Sequence, residues 1–120
     1  MAQIVRFYQF GGPQVLRVEE VDIPAPQAGE VRIRQAVIGV NFADLSQRAG
    51  RYPAELPAWP GSEAAGVVGA VGAGVADLRP GDRVAHGGSA PGSYASERVL
   101  PAEVVTKLPD EVGFETALSR

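Results

Sequence analysis

The distribution of glycine and proline constrains the fold of this chain more than any other feature. The 120 residues include 15 glycines and 10 prolines, which separate short apolar runs and do not gather in one low-complexity tract. Short apolar runs bounded by turn residues are typical of β-strands. The sequence therefore predicts about seven short strands with few helices, arranged as a closed or partly open β-barrel.

The predicted strands begin with a β-hairpin. Residues 3–10 and 15–21 are rich in strand-forming residues and flank the turn signal Gly11-Gly12-Pro13. The other predicted strands are also short and bounded by turn residues: 31–39, 64–71, 83–85, 93–100 and 104–108. Within the strand at 64–71, Gly66 and Gly69 indicate close packing or a β-bulge.

Two short helices are expected. Asn41 can cap a helix start, Asp44 then lies in the first turn where a negative charge is favourable, and Gly50 suits the C-terminal end. Residues 113–120 open a second helical pattern that stops after about two turns, which is marginal on its own. We expect residues 1–112 to form one domain and residues 113–120 to begin a helix that leads to a further domain, with a frayed natural terminus as the alternative.

Composition excludes several classes of protein. The 11 basic and 14 acidic side chains give a net charge of −3 without a long run of either sign, so nucleic acid is not an expected partner. The sequence has no run of about 18 apolar residues and no basic-then-apolar leader, so we expect no membrane partner and a cytoplasmic location. The chain has no cysteine, which excludes disulfides and thiolate metal ligands.

One motif resembles a metal site without its metal ligand. The run G-S-E-A-A-G at residues 61–66 is similar to the G-H-E-x-x-G pattern in which zinc-dependent alcohol dehydrogenases use the histidine to hold zinc. Ser62 is a poor zinc ligand, and a catalytic zinc usually needs three good ones. We therefore expect no metal site, a structural hydrogen bond or ion pair for Glu63, and a surface or turn position for His86, the single histidine.

Seven motifs occur in one order along nearly the whole chain. They are F-x-x-x-G-G-P-x-V-L from residue 7, G-V-N-F-A-D from 39, R-A-G-R-Y-P from 48, G-S-E-A-A-G-V-V from 61, P-G-D-R-V from 80, G-S-Y-A from 92 and L-P-D-E-V-G-F-E-T-A from 108. In this order they resemble the N-terminal GroES-like domain of the medium-chain dehydrogenase/reductase superfamily, specifically the zinc-independent NADPH:quinone oxidoreductase branch.

The resemblance implies a mainly β fold, a GroES-like partly open β-barrel with one or two short helices, which a Rossmann domain normally follows. No G-x-G-x-x-G motif follows a strand and opens a helix in this sequence, so these residues are not expected to bind the cofactor phosphates. The resemblance further implies hydride transfer from NADP(H) to a quinone or an α,β-unsaturated carbonyl without zinc. It also implies a homodimer of the full-length protein and inactivity of the 120-residue chain alone.

Two alternatives to this function stay open. The chain could be a free-standing GroES-like barrel that acts as a non-enzymatic interaction module. It could also be a zinc alcohol dehydrogenase domain with displaced ligands, although a chain with no cysteine and one histidine offers few ligands.

Asn41 is the first candidate for the site, because its amide both donates and accepts and can contact a nicotinamide or a quinone oxygen without a change of charge. The resemblance implies catalytic roles for Asn41 and Tyr52. It implies contact with the nicotinamide end of the cofactor for six residues: Asn41, Phe42, Ala43, Asp44, Leu45 and Ser46. Trp59 is expected to cover either the pocket or the end of the barrel, and Tyr94 is a further candidate for substrate contact.

Overall fold

The computed structural model describes residues 2–41, 44–45, 48–50, 56–87 and 92–118. Seven strands lie within these ranges: β1 Ala2–Phe7, β2 Leu16–Val21, β3 Glu30–Ile38, β4 Ala64–Val71, β5 Arg83–His86, β6 Glu97–Pro101 and β7 Val105–Lys107. Short 3-10 helices at Pro13–Val15 and Ala102–Val104 precede β2 and β7, and helix α1 spans Phe114–Leu118. The prediction of many short strands with few helices is confirmed.

The strands form two antiparallel sheets that join into a partly open barrel. Strands β1 and β2 make the predicted hairpin, and the second sheet has the order β6-β3-β4-β5-β7. Isolated bridges from Ile4 to Ala95 and from Phe7 to Ala58 connect the hairpin to the rest of the chain. Every strand pair among the described residues is antiparallel. These residues therefore form a mainly β, partly open barrel, the architecture that the resemblance to GroES-like domains implied, and they form no parallel Rossmann-type sheet.

The core lies on the inner face of the larger sheet. Its members are buried aliphatic side chains from four strands and one loop: Val31, Ile33, Val68, Leu78, Val84 and Leu100. Val31 and Ile33 are fully buried because successive side chains of β3 point to opposite faces. A second cluster of Phe7, Val15 and Ala58 packs the hairpin against the loop before β4.

Two irregularities bend the pairing of β3 with β4. The register shifts once between Arg32 and Ile33 and again between Gln35 and Val37. Gly66 pairs with Gln35, and a Cβ atom on Gly66 would overlap the backbone carbonyl of Arg34. Of the predicted alternatives, close packing is confirmed at Gly66 and a register irregularity at Gly69, and such bulges increase the local twist that curves a sheet.

Strand β6 begins later than predicted. The sequence predicted a strand over residues 93–100, whereas residues 93–96 form a bend before β6. Their backbone bonds go to other segments: the Tyr94 N–H donates to the Pro60 carbonyl at 3.0 Å and the Ser96 N–H donates to the Gln3 carbonyl at 2.8 Å. This bend brings the hairpin, the segment before β4 and the start of β6 together.

No helix among the described residues has the length and apolar character needed to cross a lipid bilayer.

Candidate functional site

The predicted site begins where the chain leaves β3 and enters a helical turn. The Asp44 N–H donates to the Asn41 carbonyl at 3.0 Å, and Asp44 Oδ2 accepts the Asn41 N–H at 3.0 Å. A carboxylate that reaches back three residues to a backbone N–H is the returning half of a capping box. The described bonds at this turn therefore use the Asn41 backbone and the Asp44 side chain, and the Asp44 carboxylate caps the Asn41 N–H.

Tyr94 is the second polar group at this turn. Its hydroxyl donates to Asp44 Oδ2 at 3.0 Å, and burial together with that carboxylate raises the pKa of Tyr94 well above its usual value. The phenol is therefore neutral at physiological pH. Its ring lies against Gly61, where a Cβ atom would come within 2.5 Å of Tyr94 Cδ1 and where φ is +101°. Glycine at this position thus provides both the backbone conformation and the space for the ring.

A mostly apolar cavity of about 220 Å³ adjoins this pair of side chains. Its lining combines aliphatic groups with one carboxylate, one phenol and one guanidinium: Leu16, Val40, Asp44, Leu45, Arg48, Pro60 and Tyr94. The Arg48 Nε donates to the Gly11 carbonyl at 3.3 Å, which ties the turn to the hairpin. Tyr94 also lines a second cavity of about 360 Å³ between the hairpin and β3, so this residue borders both cavities.

A network of buried and half-buried polar side chains supports the bend that carries Tyr94. Gln35 Nε2 donates to the carbonyls of Ser93 and Ala95, each at 2.8 Å. Because the Gln35 amide nitrogen donates there, its Oε1 is the acceptor for His86 Nε2–H at 2.8 Å. Arg98 Nη1 donates to Ser93 Oγ at 2.8 Å. Desolvation, with a smaller contribution from the charge of Arg98, lowers the pKa of His86 from 6.5 to about 4, so the imidazole is neutral.

The prediction of a surface or turn position for His86 is wrong. His86 ends β5 with 4% of its surface exposed, on the same buried face as Val84. The alternation of the strand decides this orientation, and Gln35 supplies the hydrogen bond that makes burial of the imidazole tolerable.

The residues at the metal-site motif do not fit zinc. The Glu63 carbonyl accepts the Gly39 N–H at 3.0 Å, and the Glu63 side chain occupies the space that a Cβ on Gly39 would need. The single histidine of the sequence donates to Gln35, and the sequence contains no cysteine. Within the described ranges, no three His, Cys, Asp or Glu side chains are grouped so that they could hold a metal ion.

The predicted site residues divide into two groups. Asp44 and Leu45 line the smaller cavity, and Asn41 is held next to it by Asp44. Phe42, Ala43, Ser46 and Tyr52 lie outside the described residues.

Trp59 contacts the hairpin. The guanidinium carbon of Arg6 lies 5.5 Å from the centre of the Trp59 ring, and the buried indole nitrogen has no hydrogen-bond partner among the described residues. Trp59 is not among the residues that line the smaller cavity. Of the two expected positions, these contacts favour the one in which Trp59 covers the end of the barrel.

Sequence reasoning missed the supporting network. Gln35 alternates with the buried residues Val31 and Ile33 on one face of β3. A polar residue on an otherwise apolar strand face needs a hydrogen-bond partner, so the position of Gln35 was the sequence signal that a polar network lies there. The contributions of Ser93 and Arg98 had no comparable signal, because they depend on the bend at residues 93–96.

Comparison with known proteins defines the class. Residues 27–110 match the model of the alcohol dehydrogenase GroES-like domain, and the chain belongs to that family. Within it, the chain is 43% identical over 98% of its length to the quinone oxidoreductase of Pseudomonas aeruginosa. The crystal structure of the Escherichia coli quinone oxidoreductase complexed with NADPH superposes on 98% of the chain with a TM-score of 0.93 and 38% identity. A 2-haloacrylate reductase from a Burkholderia species is 40% identical over 96% of the chain.

These matches confirm the resemblance to the GroES-like domain of quinone oxidoreductases in the medium-chain dehydrogenase/reductase superfamily. The chain spans little more than a third of each protein: 36% of the Pseudomonas aeruginosa protein, 35% of the Burkholderia protein and 37% of the Escherichia coli chain.

Proposed function

We propose that this chain is the substrate-cleft domain of an NADPH-dependent reductase that acts on quinones or related α,β-unsaturated carbonyls without zinc. The observation that carries the proposal is the apolar cavity beside the Asn41–Asp44 turn, in a chain that belongs to the same family as the quinone oxidoreductases. The Escherichia coli relative was crystallised with NADPH, which supports NADP(H) as the cofactor.

The residues of the cavity fit the nicotinamide end of such a cofactor. Val40 and Leu45 expose 68% and 41% of their surfaces beside it and offer apolar contact to a planar ring. Asn41 follows Val40, and the bonds described for it use its backbone, so we propose that its side-chain amide, which both donates and accepts, contacts the ligand. The segment from Asn41 to Ser46, with Tyr52, is the proposed contact region for the cofactor and the acceptor.

The chemistry in this proposal needs positioning rather than a metal. Bound NADPH would supply the hydride. The Asn41 amide donates to the oxygen of the acceptor as negative charge develops there, which is electrostatic stabilisation of the kind that pre-oriented donors provide. The apolar walls exclude water, and the Asp44 carboxylate keeps the turn in place through the Asn41 N–H.

The proposal also covers the organisation of the whole protein. Residues 1–112 form the GroES-like domain, and residues 113–120 begin a helix that leads to a Rossmann-type domain. The full-length protein is proposed to be a cytoplasmic homodimer, which analytical ultracentrifugation and cell fractionation test directly. The 120-residue chain alone is proposed to be inactive, because the binding site for the cofactor phosphates is not in its sequence.

The decisive experiment measures NADPH oxidation by the full-length protein that contains this domain. A simple benzoquinone and an α,β-unsaturated ketone serve as acceptors, and NADH serves as the competing cofactor. We expect oxidation of NADPH with at least one acceptor, no activity of the 120-residue chain, and no loss of activity after exhaustive chelation.

Two results would refute the proposal in different ways. Absence of NADPH oxidation with every quinone and enone would favour the non-enzymatic interaction module. Retention of one zinc ion per chain, with activity lost on chelation, would favour the alcohol dehydrogenase alternative.

A further inference from the structure

Tyr94 connects three segments that are far apart in the sequence. Its hydroxyl donates to Asp44 after β3, its N–H donates to the Pro60 carbonyl before β4, and its ring packs on Gly61. The same residue borders both cavities. Tyr94 therefore links the bend at residues 93–96 to the segment after β3 and to the segment before β4.

The backbone on both sides of Tyr94 is held by buried side chains. The Gln35 amide nitrogen donates to the carbonyls of Ser93 and Ala95, and His86 Nε2–H donates to the Gln35 amide oxygen. Arg98 adds a bond to Ser93 Oγ. Breaking one bond in such a network leaves a buried polar group unpaired, which is costly. The network therefore fixes the direction in which the Tyr94 side chain leaves the bend.

Asp44 connects the Tyr94 hydroxyl to Asn41 at the proposed site. One of its carboxylate oxygens, Oδ2, accepts both the Tyr94 hydroxyl and the Asn41 N–H, each at 3.0 Å. Asp44 is 6% exposed, so water competes little for these bonds. The orientation of the carboxylate at Asn41 therefore depends on the tyrosine hydroxyl.

We propose that Tyr94 is a positioning residue whose hydroxyl, through Asp44, holds the Asn41–Asp44 turn in the orientation that binds the nicotinamide end of NADPH. The cofactor part of this inference rests on the proposed function. The hydroxyl proton is directed at Asp44, and the raised pKa of Tyr94 makes the phenol a poor acid, so proton donation to the substrate is not its role.

The chain offers a matched control for the key substitution. Tyr8 also donates its hydroxyl to a carboxylate, Glu19, at 2.7 Å, but on the exposed side of the hairpin and outside both cavities. Tyr94→Phe and Tyr8→Phe thus remove the same chemical group from the same kind of bond. Only the first removes it at the proposed site.

The first measurement is amide hydrogen exchange of the 120-residue chain. In Tyr94→Phe the Asn41 and Asp44 amides are expected to exchange roughly tenfold faster than in the unaltered chain, because local opening becomes easier. Core amides of β3 and β4 should keep their rates. Tyr8→Phe should leave the Asn41 and Asp44 amides unchanged.

The second measurement uses the full-length enzyme. Tyr94→Phe is expected to raise KM for NADPH roughly tenfold, the effect of one lost bond to a carboxylate, with a smaller change in kcat. If Tyr94 acts through Asp44, adding Tyr94→Phe to Asp44→Asn should cause little further change, whereas two independent roles would give additive effects. A purely structural role would lower stability without this split between KM and kcat.

Each outcome decides a separate point. Unchanged exchange at Asn41 and Asp44 would overturn the positioning role, and so would additive effects in the double variant. Faster exchange with an unchanged KM would overturn the link to the cofactor. A full-length protein that oxidises no NADPH would refute the proposed function, and the exchange rates would still decide whether Tyr94 holds the turn.

Discussion

The buried histidine makes the stability of this chain depend on pH in a calculable way. Desolvation, aided by the charge of Arg98, lowers the pKa of His86 in the folded chain to about 4, whereas the usual value of 6.5 applies in the unfolded chain. The unfolded chain therefore binds the proton more tightly. The contribution of His86 to stability is fully present above about pH 6.5 and decreases as the pH falls from there toward about 4. Below about pH 4 this histidine causes no further loss of stability.

The difference between the pKa values of His86 in the folded and unfolded chain sets the size of this loss of stability. Linkage between them gives a loss of ~2 kcal/mol in the free energy of unfolding between about pH 7.5 and about pH 5. Carboxylates add their own pH dependence, so the comparison needs a variant in which only the histidine titration is removed. His86→Gln keeps an N–H donor for the Gln35 oxygen and cannot titrate.

Urea unfolding at a series of pH values measures the effect, with the fluorescence of Trp59, the single tryptophan, as the probe. We expect the stability of the unaltered chain to approach or fall below that of His86→Gln as the pH decreases, with the gap changing by ~2 kcal/mol. Only this change matters, because the substitution also shifts absolute stability. Parallel curves for the two proteins would refute the argument that a neutral, desolvated imidazole underlies the effect.

Three further predictions concern the barrel. Gly66→Ala should cost about 1 to 3 kcal/mol because its Cβ meets a β3 carbonyl, whereas Gly69→Ala, with its nearest atom 3.8 Å away, should stay within about 0.5 kcal/mol in the same urea assay. Ile33→Ala, in the fully buried core, should cost about 3 kcal/mol. Arg83 donates to three carbonyls between β7 and α1 and stacks on the ring of the first α1 residue. Arg83→Lys should accelerate amide exchange in α1, whereas Arg17→Lys on exposed β2 should not.

Each of these predictions has a contrary result. Equal stability of the two glycine variants would contradict the close approach of β3 at Gly66. A small effect of Ile33→Ala would place the core elsewhere. Unchanged exchange in α1 would show that Arg83 does not anchor the helix to the barrel.

The local pattern of the sequence was sufficient for most of the fold. The turn at Gly11-Gly12-Pro13, the alternation from Val31 to Val37 and the apolar run of β4 depend on neighbouring residues, and the structure confirms the strands they predicted. Gly66 was interpreted correctly because its requirement for space is a property of the residue itself. The seven ordered motifs also identified the family.

The site was predictable only in part. Asn41 and Asp44 are three residues apart, so their contact follows from local geometry, and the structure shows it as a bond from the Asn41 N–H to the Asp44 carboxylate. Tyr94 is 50 residues from Asp44, and its backbone follows a bend where a strand was expected. Such long-range pairs depend on how the segments pack.

The sequence by itself determined the order of short strands, the family and the absence of thiolate ligands, because spacing, residue size and donor chemistry are local properties. Only the tertiary structure decided that His86 is buried and neutral, that Gln35 supports the bend at Tyr94, and that Tyr94 meets Asp44. The physical reason is that a buried polar side chain must find a partner, and the folded chain, rather than the neighbouring sequence, supplies it.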